Sequence, residues 1–144
     1  GSATVDASSG LITGISAGNV TLIASSAGDS DYSPATTSQA LTILATTPIL
    51  TITSADSLSV DGTLTATVVT TATNGRGGAI SFAIIGGSGS ATVDASSGLI
   101  TGISAGNVTL VASSAGDSDY NPASTSQNLN ISSITPVLTI TSAD

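Results

Sequence analysis

One stretch of twenty residues occurs twice in this chain without a single change, at positions 3–22 and again at 91–110. The match extends on both sides, so that residues 1–56 align with residues 89–144 at a spacing of 88 residues. A period of this length is typical of repeat architectures, in which each copy is one structural unit. The repeat therefore predicts a tandem array of modules, of which the 144 residues hold fewer than two.

The repeated stretch has the pattern of short β-strands. Apolar residues alternate with Ser and Thr, and turn signals such as Ser8-Ser9-Gly10 interrupt the alternation. Val, Ile and Thr favour strands, whereas Ser, Thr and Gly are weak helix formers. The sequence therefore predicts an all-β fold with almost no helix.

Differences between the two copies indicate which face of the closing strand is buried. Ala40 and Thr42 of the first copy are both replaced by Asn in the second, whereas Leu41 and Ile43 are kept. Asn is tolerated in water and costly in a core, and strand side chains point to alternate faces. The predicted architecture is a two-sheet antiparallel sandwich with one buried face on each sheet.

The repeat also predicts how the chain is divided. We expect residues 1–44 to be the C-terminal half of a module, 49–132 a complete module and 137–144 the first strand of a following module, with junctions at 45–48 and 133–136. Half a module leaves its core exposed, and exposed strands and apolar patches aggregate in water. We therefore expect neighbouring copies to supply the missing strands, with 137–144 against a 1–44 half-module. Either the chain is a window on a longer array, or separate chains complement one another end to end.

Within the complete module, local patterns give further predictions. The alternation over 63–70 predicts one continuous strand, and 79–85 is expected to be the central strand. The dipeptide Asn74-Gly75 is a hairpin-turn signal. Arg76 follows it and is expected to be a solvated residue at the hairpin tip, with contact to an anionic partner or a neighbouring chain's Asp as the alternative.

Charge in this chain is strongly one-sided, with nine acidic residues, one basic residue and a net charge of −8. Nucleic acid binding needs Lys and Arg that displace counterions from phosphates, so the composition excludes that partner. Apolar runs are only a few residues long, which argues against direct membrane insertion. The acidic charge is expected to keep neighbouring modules soluble.

Residue types that carry most catalysis are missing, because the sequence has no His, Cys, Lys or Glu. The usual general bases and activated nucleophiles are therefore absent, and an enzyme is not expected. Without Cys or Lys, neither a disulfide nor a Lys isopeptide bond is expected to brace the modules.

Two acidic pairs are the candidate metal ligands. Asp29 and Asp31 lie in a Gly-Asp-Ser-Asp segment, and Asp117 and Asp119 are their counterparts in the second copy. Calcium takes several oxygen ligands, so two neighbouring carboxylates and loop carbonyls could begin a calcium site. The alternative is a turn, since Asp and Ser side chains readily accept hydrogen bonds from their own backbone.

Ser57 is the candidate glycosylation site. It lies in an Asp-Ser-Leu triplet, which resembles the Asp-Ser/Thr-apolar O-glycosylation signal of some bacteria. Covalent sugars are bulky and need an accessible side chain. Ser57 is therefore a candidate for O-glycosylation.

The repeated pattern, Ala-Thr-Val-Asp-x-x-x-Gly-Leu-Ile-Thr-Gly-Ile-Ser-Ala-Gly-Asn-Val-Thr-Leu, resembles the signature of bacterial immunoglobulin-like domains of group 2. The segment Gly116-Asp-Ser-Asp-Tyr-Asn-Pro-Ala123 is similar to the one that follows it in many tandem surface repeats, including giant repeat adhesins of gliding bacteria. The resemblance covers both copies. It implies an immunoglobulin-like sandwich without the Cys–Trp–Cys pattern of antibody domains, in secreted or cell-surface bacterial proteins.

Two functions from different classes stay open at this point. One is a non-catalytic spacer in an extracellular bacterial adhesin or cell-surface filament, where each module contacts its neighbours and adds length and mechanical strength. The other is a module that recognises a glycan or protein through its loops. Tyr32, Tyr120 and Phe82 are the only aromatic residues, so no aromatic platform for stacking sugars is expected.

Overall fold

The computed structural model describes residues 1–143, and these residues form strands, turns and loops without any helix. The all-β prediction is thus confirmed. The strands are β1 (Ser2–Val5), β2 (Ile12–Ser16), β3 (Gly18–Ser26), β4 (Ala35–Ile43), β5 (Leu50–Ile52), β6 (Ser57–Ser59), β7 (Thr63–Thr65), β8 (Val68–Thr70), β9 (Ile80–Ile85), β10 (Ser90–Val93), β11 (Leu99–Ser104), β12 (Gly106–Ser114) and β13 (Ala123–Ser132).

Two hairpins form the N-terminal part of the chain, hereafter the hairpin unit (β1–β4). β1 pairs with β2 and β3 pairs with β4, both in the antiparallel sense. The β3–β4 ladder is long, running from Gly18 opposite Ile43 to Ser26 opposite Ala35. Packing of β1 against β3 brings the two hairpins together.

The remaining strands form the core unit (β5–β13), which has three sheets. Their strand orders are β10-β11-β7, β6-β13-β12-β9 and β5-β8. The sheets enclose one apolar core, an arrangement consistent with a β-sandwich. Its largest fully buried side chains, each at most 1% exposed, are Ile100, Val108, Leu110, Leu129 and Ile131.

Alternation along β12 and β13 builds most of this core. Every second residue of β12 is buried, beginning with Val108, and the residues between them are more exposed. In β13, Asn128 and Asn130 are exposed on either side of the buried Leu129. The copy-to-copy differences therefore mark the solvent face, as predicted.

The prediction of one strand over 63–70 is wrong, because the chain changes sheets within it. β7 pairs with β11, whereas β8 pairs with β5. Between them the N–H of Ala66 donates to the carbonyl of Gly98 at 2.8 Å, and the carbonyl of Thr67 accepts from the N–H of Thr53 at 2.9 Å. Strands that switch sheets form the corners of sandwiches, and the side-chain alternation continues unbroken through such a corner.

Three further predictions about the core unit are wrong. β9 lies at the edge of its sheet rather than at the centre, with β12 as its one partner strand. Asn74 and Gly75 do form a tight turn with φ of 57° and 70°, but this turn joins β8 to β9, which lie in different sheets. The four-stranded sheet is not purely antiparallel, because β6 and β13 pair in the parallel sense.

Residues 133–143 follow β13 and form no strand within the described part of the chain. The side chains of Val137, Leu138 and Ile140 are 92%, 89% and 90% exposed. The strand predicted for 137–144 is thus not formed within the described residues. Its last residue, Asp144, lies outside the described residues.

Candidate functional site

Three loops meet where the hairpin unit contacts the core unit, hereafter the junction. They are the β2–β3 turn with Ala17, the β8–β9 loop with Arg76 and the β12–β13 loop with Asp119. Asn74 and Gly75 have left-handed backbones, so the β8–β9 loop turns sharply just before Arg76. The junction thus combines residues that lie far apart in the sequence.

Asp119 joins the two units through both of its carboxylate oxygens. Its Oδ1 accepts a hydrogen bond from the main-chain N–H of Ala17 at 2.7 Å, and its Oδ2 lies 2.9 Å from Nη1 of Arg76. The Asp119 side chain is only 15% exposed. Charge-assisted hydrogen bonds in such partly buried settings are stronger than neutral ones.

Arg76 also reaches the hairpin unit directly. Its Nη1 donates to the main-chain carbonyl of Ile15 at 3.3 Å while it pairs with Asp119. Arg76 is thus an exposed loop residue with 40% of its side chain accessible, but it also pairs with an Asp of its own chain, a contact that the sequence did not predict. The sole cation of the chain lies between two units of the same chain.

The linker after β4 is held against the β12–β13 loop. The N–H of Thr46 donates to the carbonyl of Asp119 at 3.1 Å, and the N–H of Asn121 donates to the carbonyl of Thr46 at 2.8 Å. The Asn121 side-chain amide donates to the Thr47 hydroxyl at 3.0 Å. Pro48, which restricts the linker backbone, is buried. The linker is therefore fixed in direction as it enters the core unit.

Asp117 positions Arg76 beside Asp119. One Asp117 oxygen accepts from the N–H groups of Asp119 and Tyr120 at 2.8 and 2.9 Å, and the other accepts from Gly77 at 2.6 Å. The hydrogen bond from Gly77, followed by those within the turn, holds the pKa of Asp117 below its ordinary value. The ionised carboxylate thus fastens the β8–β9 loop to the β12–β13 loop.

Tyr120 makes a second connection between the same loops. Its hydroxyl accepts from the N–H of Thr73 at 3.3 Å and lies 3.1 Å from the Thr73 hydroxyl. These two hydrogen bonds, the hydroxyl one first, hold the pKa of Tyr120 below its ordinary value. Both loops of the core unit therefore reach the junction as one connected surface.

The structure places the four candidate calcium ligands in two separate, equivalent turns. Asp29 accepts from the N–H groups of Asp31 and Tyr32 at 2.8 and 2.9 Å, as Asp117 does in its own turn. The hydrogen bond from Asp31, followed by that from Tyr32, holds the pKa of Asp29 below its ordinary value. Within residues 1–143 there is no group of three or more metal-ligating side chains. The turn alternative accounts for these hydrogen bonds, and calcium binding stays a prediction.

Ser57 lies in β6 with its side chain exposed. Its backbone pairs with Asn130 in the parallel ladder to β13. The Ser57 side chain is therefore accessible, and glycosylation at Ser57 stays a prediction.

A cleft of about 260 Å³ opens at the junction. Apolar residues of the hairpin unit form one side, and the ion pair and Tyr120 form the other. Sequence reasoning did not find this site, because hydrophobic periodicity contains no information on which loops meet. The one available signal was a single Arg in a chain with nine acidic residues.

A scan of this chain against protein-family models gives no match, and a comparison with curated proteins gives none either. Among the described residues there is no helix of the length and apolarity that crossing a membrane requires. The junction is thus the feature from which a function can be derived.

Proposed function

We propose that this chain is part of a non-catalytic spacer in a large extracellular bacterial adhesin or cell-surface filament. It consists of immunoglobulin-like sandwich modules in tandem, with a repeat of 88 residues. The observation that carries the proposal is the junction, where Asp119 accepts a hydrogen bond from Ala17 and pairs with Arg76. A spacer needs such contacts, because an array of units stays extended only if neighbouring units keep a fixed orientation relative to each other.

Several short contacts at the junction act together. A single exposed ion pair contributes about 0.2–1 kcal/mol. The Arg76–Asp119 pair does not act alone. The N–H and the carbonyl of Thr46 both form main-chain hydrogen bonds with the β12–β13 loop, and Asp119 also accepts from the N–H of Ala17. These contacts hold the β2–β3 turn and the linker against the same β12–β13 loop, so their combination supports a preferred orientation.

Mechanical strength is supported by the way the core unit ends. β6 near its start and β13 at its end run parallel, connected by hydrogen bonds from Asn130 to Asp56 at 2.8 Å and from Val60 to Ser132 at 2.9 Å. Tension pulls the start of β6 and the end of β13 in opposite directions along the strands. In parallel strands this shear loads all of these bonds together rather than one after another.

Double electron–electron resonance between two spin labels tests whether the hairpin unit and the core unit keep a fixed orientation. The natural chain has no Cys, so Ser8→Cys and Ser96→Cys introduce two unique label sites on exposed turns, one in each unit. We expect one narrow distance distribution when the doubly labelled protein is diluted with an excess of unlabelled protein. Arg76→Ala and Asp119→Ala should broaden it, whereas Asp56→Ala, which makes the same charge change as Asp119→Ala away from the junction, should not. A broad distribution in the parent chain would refute a rigid spacer.

The junction cleft favours one alternative, a module that binds a ligand. Its volume of about 260 Å³ and the nearby Arg76 would suit a small group with negative or polar atoms, such as part of a glycan or an acidic protein segment. Glycan and protein arrays probed with the full chain discriminate the two functions. Saturable binding that Arg76→Ala removes would support the ligand-binding alternative.

A further inference from the structure

The tip of the β8–β9 loop is an Asn followed directly by Gly. Asn74 and Gly75 are the two central residues of a turn that is closed by a hydrogen bond from the N–H of Arg76 to the carbonyl of Thr73 at 3.1 Å. Both central residues are exposed, and a Cβ added at Gly75 would meet no atom within 4 Å. The tip of this turn is therefore open to water.

Asn74 and Gly75 carry the two groups that succinimide formation requires. The main-chain nitrogen of Gly75 is the nucleophile and Cγ of the Asn74 carboxamide is the electrophile, and the missing Cβ of Gly75 leaves the approach unhindered. Within residues 1–143, neither the Gly75 N–H nor the Asn74 carboxamide has a hydrogen-bond partner. For the attack, the Asn74 backbone must leave its left-handed conformation, which opens the turn hydrogen bond from Arg76 to Thr73.

The β6–β7 turn holds an Asp–Gly pair in the opposite situation. Asp61 is also left-handed, with φ of 60°. The N–H of Gly62 donates to the carbonyl of Ser59 at 3.0 Å, and the carbonyl of Gly62 accepts from the N–H of Gly102 at 3.1 Å. A Cβ added at Gly62 would lie 2.7 Å from the Ser59 hydroxyl. The nitrogen of this second pair is already bonded, and its turn is held by a neighbouring strand.

Residues on both sides of the Asn–Gly pair carry contacts of the junction. Thr73 donates from its N–H to the Tyr120 hydroxyl at 3.3 Å, and the two hydroxyl groups lie 3.1 Å apart. Arg76 pairs with Asp119 at 2.9 Å. The main chain between Thr73 and Arg76 is thus fixed at both ends, so a change in its length displaces Arg76.

We propose that Asn74-Gly75 is a self-modification site whose product weakens the junction. The Gly75 nitrogen loses its proton to hydroxide and forms a bond to Cγ of Asn74, while the side-chain nitrogen leaves with its bonding electrons, takes up a proton and departs as ammonia. Water then opens the succinimide ring at either carbonyl, and the opened bond leaves its electrons on the Gly75 nitrogen, which is reprotonated. The products are aspartate and isoaspartate, and water is the only co-reactant.

Both products act on the Arg76–Asp119 pair. In isoaspartate the main chain runs through Cβ and Cγ of position 74, which inserts an additional carbon between Thr73 and Arg76. Either product also places a new carboxylate beside Arg76, where it competes with Asp119 for the only cation of the chain. This effect on orientation rests on the proposed spacer function, whereas the modification itself does not.

Peptide mapping of the full chain tests the modification. The chain is incubated at neutral and at mildly alkaline pH, and electron-transfer fragmentation distinguishes aspartate from isoaspartate at each position. We expect Asn74 to convert first, about tenfold faster per pH unit, because the deprotonated fraction of an amide rises in that proportion. The other asparagines, each followed by a bulkier residue, should stay intact: Asn19, Asn107, Asn121, Asn128 and Asn130. An unchanged Asn74 overturns the proposal.

The substitution Asp61→Asn provides a matched control, because it creates a second Asn–Gly pair in the same chain. Asn tolerates the left-handed backbone of that position, so the turn is kept. We expect position 61 to convert more slowly than Asn74, since the Gly62 nitrogen is hydrogen-bonded to Ser59. Equal rates would mean that the dipeptide alone decides the reaction and would overturn the role given to the open turn.

The effect on the junction is tested on chains that have been converted at Asn74 and purified by anion exchange. With spin labels at Ser8→Cys and Ser96→Cys, the converted chain should give a broader distance distribution than the fresh chain. Asn74→Gly keeps the left-handed turn and lacks the carboxamide, so its distribution should not change on the same incubation. A converted chain as narrow as the fresh one overturns the effect on the junction. A broad distribution in the fresh chain would refute the rigid spacer and leave conversion at Asn74 untouched, so the two proposals fail independently.

Discussion

The carboxylate of Asp119 accepts a hydrogen bond from the main-chain N–H of Ala17 at 2.7 Å, across 102 positions of sequence. One end of the contact is a side chain of the core unit and the other is backbone of the hairpin unit. The donor is therefore insensitive to substitution at Ala17, while the acceptor depends entirely on Asp119. This asymmetry makes Asp119 the residue to vary at the junction.

Graded substitution at Asp119 should separate the two contributions to the junction. Asp119→Asn keeps an oxygen that can accept from Ala17 but loses the charge that pairs with Arg76, and Asp119→Ala loses both. We expect Asp119→Asn to cost about 0.2–1 kcal/mol of the coupling between units, and Asp119→Ala more. Hydrogen exchange at Ala17 reports the result. Equal exchange in all three proteins would contradict the contact.

The repeat supplies a matched pair of leucines for measuring how much burial in the core contributes to stability. Leu110 is 0% exposed, whereas Leu22, whose nearest sequence neighbours differ only by Ile23 in place of Val111, is half-buried. We expect Leu110→Ala to destabilise the core unit by about 3–5 kcal/mol, and Leu22→Ala to cost at most about half of that. Urea denaturation followed by NMR of each unit measures both. Similar costs would mean that the β3–β4 face is already covered in solution.

Gly102 and Gly14 form a second matched pair. A Cβ at Gly102 would lie 2.5 Å from the carbonyl oxygen of Ser59, which is fixed backbone. At Gly14 the nearest atom, 2.9 Å away, is a side-chain methyl of Ile43 that can rotate. Gly102→Ala should therefore cost about 1–3 kcal/mol and Gly14→Ala clearly less. Thermal unfolding of the two variants compares them directly, and the reverse order would contradict the close approach at Gly102.

Acid should loosen the junction loops through Asp117. Its pKa is lowered in the folded state by the hydrogen bonds from Gly77 and from its own turn. Its contribution is then complete above the unfolded pKa of about 3.9 and is lost as pH falls through the lower folded value. We expect the melting temperature to decline below about pH 4, and more steeply than in Asp117→Asn. Identical acid limbs in the two proteins would exclude this role.

Calcium should have little effect on the core unit. Asp117 and Asp119 already use their carboxylate oxygens for main-chain N–H groups and for Arg76. Coordination would have to break these contacts before it gained ligands. We expect the melting temperature to be the same in millimolar calcium and in chelator. An increase with calcium that Asp29→Asn or Asp117→Asn removes would establish the site predicted from the acidic pairs.

The buried face of the closing strand could be predicted because the two copies of the repeat differ only on the opposite face of that strand. Asn128 and Asn130 replace Ala40 and Thr42 on one side of the strand only. Their positions are exposed, and the unchanged Leu129 between them is buried. Two copies in one chain thus provide a comparison that a single copy lacks.

Other parts of the fold lie beyond periodicity. The corner at Ala66 keeps the side-chain alternation while its hydrogen bonds pass to another sheet, so no residue type marks it. Ile100 is 0% exposed, although its strand reads as a short piece between turns. The Arg76–Asp119 pair depends on where two loops end in space. In each case the deciding contact is long-range, and local patterns do not encode it.

The β1–β2 and β10–β11 hairpins have identical sequences, which raises the question of how such a chain avoids misfolding. β1 pairs with β2 in the same register as β10 with β11, with the irregularity at the same place. A swapped hairpin of β1 with β11 would form the same hydrogen bonds, so the hydrogen bonds of the folded state do not favour the correct pairing over the swapped one. Ser2 and Ser16 are 14 residues apart, whereas Ser2 and Ser104 are on the order of a hundred apart. Closing the longer loop costs about 1.8 kcal/mol more, a preference of roughly twentyfold for the neighbouring strand. Short connections, rather than sequence differences, keep each copy folding with itself.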